Sequence, residues 1–60
     1  MTVRDMMKIL RKDGWYVVGQ EGSHIQMEHS NKPGKVTLPN HKGDIRKGTK
    51  DSILKQAGLK

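Results

Sequence analysis

The sequence predicts an α+β fold: a single small domain over residues 1–60, ordered α-β-β-β-α, with a three-stranded antiparallel sheet carrying two helices on one face. Three observations predict it. Apolar residues recur at helical spacing near the amino terminus, alternate with polar ones over His24–His29, and return to helical spacing at the carboxyl end. Two layers around one apolar core are the economical arrangement for such elements.

The first helix is expected over roughly 2–13. Thr2 and Asp5 have the capping-box spacing, and Val3, Met6, Met7 and Leu10 form one apolar face. Asp5 in the first turn and Arg11 and Lys12 in the last suit the helix dipole, while Gly14 is a natural left-handed stop. Trp15 to Gly19 reads as a short strand of aromatic and β-branched residues. Gln20-Glu21-Gly22-Ser23 reads as a turn in which Gly22 is free to take positive φ.

His24 to His29 then alternates, with Ile25 and Met27 on one face and His24, Gln26 and Glu28 on the other. Ser30 to Gly34 is a polar loop ending in a Pro-Gly turn. Lys35 to Leu38 makes a third strand with Val36 and Leu38 inward. The polar connection from Pro39 to Gly48 leaves room for one helical turn near Asp44-Ile45. Thr49 is expected to cap the second helix, with Asp51 in its first turn and Ile53, Leu54 and Ala57 buried. Gly58 ends it, and Leu59 folds back onto the last turn.

Composition narrows the function. There is no cysteine, so disulfides, thiolate metal sites and thiol nucleophiles are excluded. No apolar run approaches the roughly 18 residues of a membrane span and no signal-peptide core is visible, which points to a soluble, cytoplasmic protein with no membrane partner. The net charge is +6. Residues 1–30 are electrically balanced, so the whole excess falls in residues 31–60. Such asymmetry favours a polyanionic partner, nucleic acid foremost, over mere solubility.

Among the residues able to do chemistry, His24 stands out. It begins a strand, follows the Gly22-Ser23 turn and points away from Ile25 and Met27, so it is accessible, and histidine is a side-chain type suited to general acid–base chemistry. The plain alternative is an ordinary polar residue on a solvated strand face. His29 falls on the Ile25 and Met27 side and reads as a partly buried packing or hydrogen-bonding residue. His41 follows Pro39-Asn40 and is left facing either the sheet edge or solvent. Three histidines at this spacing, with no cysteine and no convergent carboxylates, make a poor ligand set, so no metal and no cofactor are expected. Adjacent strand residues face opposite ways, which argues against a Ser23–His24 nucleophile pair.

The chain resembles the HicA-type toxins, small mRNA interferases of bacterial type II toxin–antitoxin modules. The resemblance rests on the opening helix, Gly14-Trp15, Gly22-Ser23-His24, Val36-Thr37-Leu38-Pro39-Asn40-His41, Gly48-Thr49 and Ile53-Leu54-Lys55-Gln56-Ala57-Gly58-Leu59. It covers nearly the full chain in register. The resemblance implies a fold like the double-stranded-RNA-binding domain, metal-independent cleavage of mRNA with His24 as the catalytic residue, and a HicB-type antitoxin that covers the active face. Gly22 and Ser23 would position the catalytic turn, and Lys35, Lys42, Arg46, Lys47 and Lys50 are the candidate RNA-binding side chains. The competing reading is a module that grips RNA without cutting it. Gly48-Thr49-Lys50-Asp51 departs from that pattern, because it lacks the dense lysine cluster such binders place at the second helix.

Overall fold

A computed structural model describes residues 1–40 and 42–60; the expectation for His41 lies outside the described residues. The order is α1 (Val3–Asp13), β1 (Trp15–Glu21), β2 (His24–His29), β3 (Lys35–Pro39) and α2 (Lys47–Gln56). The strands form an antiparallel meander in the order β1-β2-β3. Helix α1 packs on the β1 side and α2 on the β3 side.

Helix α1 starts as its sequence dictates. The Thr2 side chain accepts from the Asp5 N–H at 3.2 Å, and the Asp5 carboxylate accepts from the Thr2 N–H at 3.1 Å. The two bonds satisfy donors that a helix start otherwise leaves unpaired. The helix ends at Gly14, whose φ of 108° lies in the left-handed region. Its buried face is Val3, Met6 and Leu10, which meet Trp15, Ile25, Met27, Val36 and Leu38 of the sheet and Ile45, Ile53 and Ala57 beyond it. A domain of this size is stable by only about 3–9 kcal/mol, so truncating one fully buried Met or Leu, at about 2–5 kcal/mol, removes most of that margin.

Strand β1 differs from expectation. It runs on to Glu21, and the turn shrinks to Gly22-Ser23. A bulge between Val17 and Gly19 shifts the register, so Gly19 rather than Val18 pairs with Gln26. Within β1 only Trp15 is buried, and Tyr16, Val17 and Val18 remain exposed on an edge strand. The connection before α2 also differs: Asp44 forms an isolated antiparallel bridge with Thr2 instead of a helical turn, and the Ile45 N–H donates to the Met1 carbonyl at 2.6 Å. That bridge holds Ile45 in the core.

Helix α2 accordingly begins at Lys47, directly after the extended Arg46, and Thr49 is its third residue rather than its cap. Among the described residues no side chain caps this end, and no acidic residue lies in the first turn. Asp51 pairs instead with Lys60 at 2.7 Å, and its carboxyl lies below the usual range chiefly because Lys60 donates to it. At the other end the Leu59 N–H returns to the Leu54 carbonyl at 2.8 Å, although the Leu59 side chain stays exposed.

One polar cluster ties the elements together. Lys32 Nζ donates to the Asp13 carboxylate at 2.6 Å and to the Ala57 carbonyl at 3.0 Å, and Trp15 Nε1 donates to the same carboxylate at 3.1 Å. The ends of both helices, the start of β1 and the β2–β3 loop thus share one half-buried hub.

Candidate functional site

The hairpin between β1 and β2 presents His24. Gly22 has a φ of +57°, while no described non-glycine residue has positive φ, the sign pattern of a type II′ turn with glycine first. Nothing lies within 4 Å of where a Gly22 Cβ would sit, so backbone angle rather than crowding demands glycine there. Both turn carbonyls are engaged: Gln20 Nε2 donates to Gly22 O at 3.0 Å, and the Asn40 N–H donates to Ser23 O at 2.6 Å. The turn that Gly22 and Ser23 form is therefore anchored from both flanks, and Gln20 and Asn40 are its positioning residues.

His24 is the first residue of β2, opposite Glu21 on β1 and Pro39 on β3. It is exposed, and with Thr37 and Pro39 it forms one wall of an open groove of about 760 Å³. Gly48, Thr49, Ser52 and Gln56 of α2 line it from the helix, and Asp44 and Arg46 from the connection before the helix. Helix α2 holds this position along the free edge of β3, where Gln56 Oε1 lies 3.5 Å from the Thr37 N–H and meets an edge donor that no strand pairs. Ile53 beneath the groove is buried and fixes the helix to the sheet.

The groove's electrostatics are mixed but lean positive. Arg46 brings a permanent cation. The start of α2, where no described side chain caps the helix, adds the first-turn N–H groups of Lys47, Gly48 and Thr49 and the positive end of its dipole, a combination suited to phosphate. Asp44 is the carboxylate among the described lining residues, and it lies 3.5 Å from the Met1 ammonium.

Of the basic residues singled out in the sequence, Arg46 alone lines the groove with His24. Lys47 and Lys50 stand on the first turn of α2 beside it. Lys35 sits at the opposite end of β3, opposite Glu28, with which it pairs at 3.8 Å. Lys42 lies in a second groove beside α1. Thr49, expected only as a helix cap, and Ser52 and Gln56, given no role by their sequence positions, are brought into the His24 groove by the fold. Their spacing of three and four residues, beside the buried Ile53 and Ala57, is the signal that marks them as one polar stripe.

His29 lies on the other face, as its alternation demands. Its ring is held by three hydrogen bonds and packs edge-on against Trp15 at 5.3 Å between ring centroids. Among the described residues no three His, Cys, Asp or Glu side chains converge as a metal site requires, and no helix is long and apolar enough to cross a membrane.

Residues 3–59 match the family model described as the HicA toxin of bacterial toxin–antitoxin systems. The chain belongs to the HicA toxin family. A solved toxin–antitoxin complex from Streptococcus pneumoniae contains a chain 40% identical to this one, with a TM-score of 0.82 and 98% of each chain covered. A search of curated proteins returns no match. The Gly22-Ser23-His24 turn and the β3–α2 groove thus lie within the span matched by the HicA family model.

Proposed function

We propose that this HicA toxin is a metal-independent mRNA endoribonuclease that uses His24 as its general acid or base and is inhibited by a HicB-type antitoxin. The observation that carries the reading is the position of His24. It is exposed on a pinned turn and opens onto a groove that also holds Arg46 and the start of α2.

RNA brings its own nucleophile, the 2′-hydroxyl. Attack on the adjacent phosphorus gives a five-coordinate phosphorane and expels the 5′-oxygen of the next nucleotide, leaving a 2′,3′-cyclic phosphate. The protein has two tasks. One is to move protons: the His24 imidazole accepts the 2′-hydroxyl proton, or as imidazolium donates to the leaving oxygen, a contribution of roughly 10²–10⁴-fold. The other is to stabilise the added charge of the phosphorane, for which the Arg46 guanidinium and the α2 N–H groups are placed along the same groove. Thr49 and Ser52 offer hydroxyls opposite His24 to orient the ribose or phosphate oxygens.

An antitoxin that blocks this site must cover the groove and meet the basic second half of the chain. Its association is therefore expected to be fast and salt-sensitive.

The deciding experiment is RNA cleavage in EDTA by the chain and by a His24→Ala variant with an unchanged melting transition. Cleavage by the parent alone supports the reading. If both bind RNA equally and neither cleaves, the protein is a non-catalytic RNA-binding module.

A further inference from the structure

Arg4, Lys8 and Arg11 are spaced by four and three residues. At 3.6 residues per turn they fall within about one sixth of the circumference of α1 and extend about 10 Å along it. All three are exposed, and Asp5 and Asp13 lie outside that sector. The Asp5 carboxylate is turned back onto the helix start, where it accepts from the Thr2 N–H.

The three cations line a groove that Lys42 and Asn40 complete from the β3–α2 connection. Among its described lining residues there are four cations and no carboxylate. This groove and the His24 groove are adjacent. Pro39 lines the one and Asn40 the other, and the Asn40 N–H is the donor that pins the Ser23 carbonyl beside His24. A charge count along the chain conceals the patch, because the four carboxylates of residues 1–30 cancel its charge in sequence but not in space.

We propose that the cationic face of α1, together with Lys42, is a second RNA-binding surface that holds the phosphates of the strand leaving the His24 groove. This rests on the ribonuclease reading above and extends it, since it makes the substrate a strand several nucleotides long that runs from the groove lined by Pro39 to the one lined by Asn40. A polyanion fits the surface better than a protein does. Four cations with no carboxylate among the described lining residues suit a row of phosphates, which basic side chains hold without reading sequence.

The test compares binding of one single-stranded RNA of about twenty nucleotides, longer than the roughly 4–16 that a compact module covers, across a salt series. His24→Ala serves as the parent so that binding is read without cleavage. One variant adds Arg4→Gln, Lys8→Gln and Arg11→Gln. A second removes the same charge elsewhere, with Lys12→Gln, Lys55→Gln and Lys60→Gln. Glutamine keeps helix propensity at the helical positions, and the solvent-exposed Lys60–Asp51 pair lost in the control contributes little, so both variants are expected to fold.

The α1 variant is expected to lose about tenfold or more in affinity, and its salt slope should fall by about 2, at roughly 0.7 per phosphate contact on a single strand. The control variant should change the slope by less than half of that. Lys8→Gln alone should lower the slope by about 0.7 and serves if the triple variant fails to fold. Equal losses in both variants, or an unchanged slope in the α1 variant, overturn the proposal. So does an α1 variant that binds polyglutamate more weakly but RNA as before, because the surface then serves an acidic protein. If the wild-type chain neither cleaves nor binds RNA, the ribonuclease reading itself has failed. An active wild type with an indifferent α1 variant removes only the second surface.

Discussion

His29 Nε2 lies 2.6 Å from the carbonyl oxygen of Asp13, at the junction where α1 turns into β1. On the other side of the ring, Nδ1 accepts from the N–H groups of Asn31 and Lys32 at 2.9 and 3.2 Å. The neutral ring therefore carries its proton on Nε2, and one imidazole joins the end of α1 to the β2–β3 loop. The same contact makes Gly14 obligatory. A Cβ there would sit 2.6 Å from His29 Nε2, on a backbone whose φ is already +108°.

Gly14→Ala is expected to destabilise the fold by about 1–3 kcal/mol from backbone strain, with the clash in addition. His29→Ala should cost about 1–3 kcal/mol through its lost hydrogen bonds. In the double variant the clash is absent, so the combined loss should fall short of the sum. Urea unfolding of all four proteins measures the difference, and strict additivity would show that the ring does not press on Gly14.

The Asp13 carboxyl is held below its ordinary range, first by the hydrogen bond from Lys32, then by the Lys32 charge, the Trp15 donor and the His29 ring. A carboxyl lower in the folded than in the unfolded state contributes stability above the ordinary carboxylate range and loses it as pH falls through the folded value. Asp5 and Asp51 are shifted in the same direction. Stability should therefore drop on acidification below about pH 4, and Asp13→Asn should flatten that limb while lowering stability at neutral pH. An acid limb of unchanged steepness in Asp13→Asn would show that the hub does not contribute.

Arg46→Gln is expected to slow RNA cleavage by about 10²-fold with little change in melting temperature, because the side chain is exposed and lines the groove. Asp44→Asn sorts two roles for the groove's carboxylate. Faster cleavage and tighter RNA binding mean that its charge opposes the phosphate. Tighter binding with slower cleavage means that it takes part in proton transfer. Single-turnover rates alongside filter binding separate the two.

Charge reversal at Lys47 should weaken RNA and antitoxin binding together, since the residue stands on the α2 turn that borders the groove. Reversal at Lys42 should do the same from the α1 side. Titration of each variant against RNA and against a HicB-type antitoxin at two salt concentrations reads both effects. Unchanged affinity for both ligands would mark the basic second half as solubilising surface.

Element order and strand faces were legible in the sequence because they depend on neighbours within a turn or a pleat. The Thr2–Asp5 box, the inward Ile25 and Met27 and the accessible His24 all follow from such spacing. Strand β1 was less legible. Trp15-Tyr16-Val17-Val18 does not alternate, so neither the bulge nor the length of the strand could be read from it. The start of α2 was misplaced at Thr49 because the cap preference of threonine was set against a long-range event, the Thr2–Asp44 bridge that draws Ile45 into the core.

By itself, then, the sequence determined a small basic α-β-β-β-α domain, its HicA family and one accessible histidine on a glycine turn. Each of these rests on local periodicity or on motif order. Only the tertiary structure decided what faces that histidine. Arg46, Thr49 and Ser52 share its groove because α2 docks along the free edge of β3, and Arg4, Lys8 and Arg11 share a groove with Lys42 because the chain returns past the start of α1. Such neighbours are set by burial of Ile45 and Ile53 in a shared core, a long-range packing event that spacing along the chain does not encode.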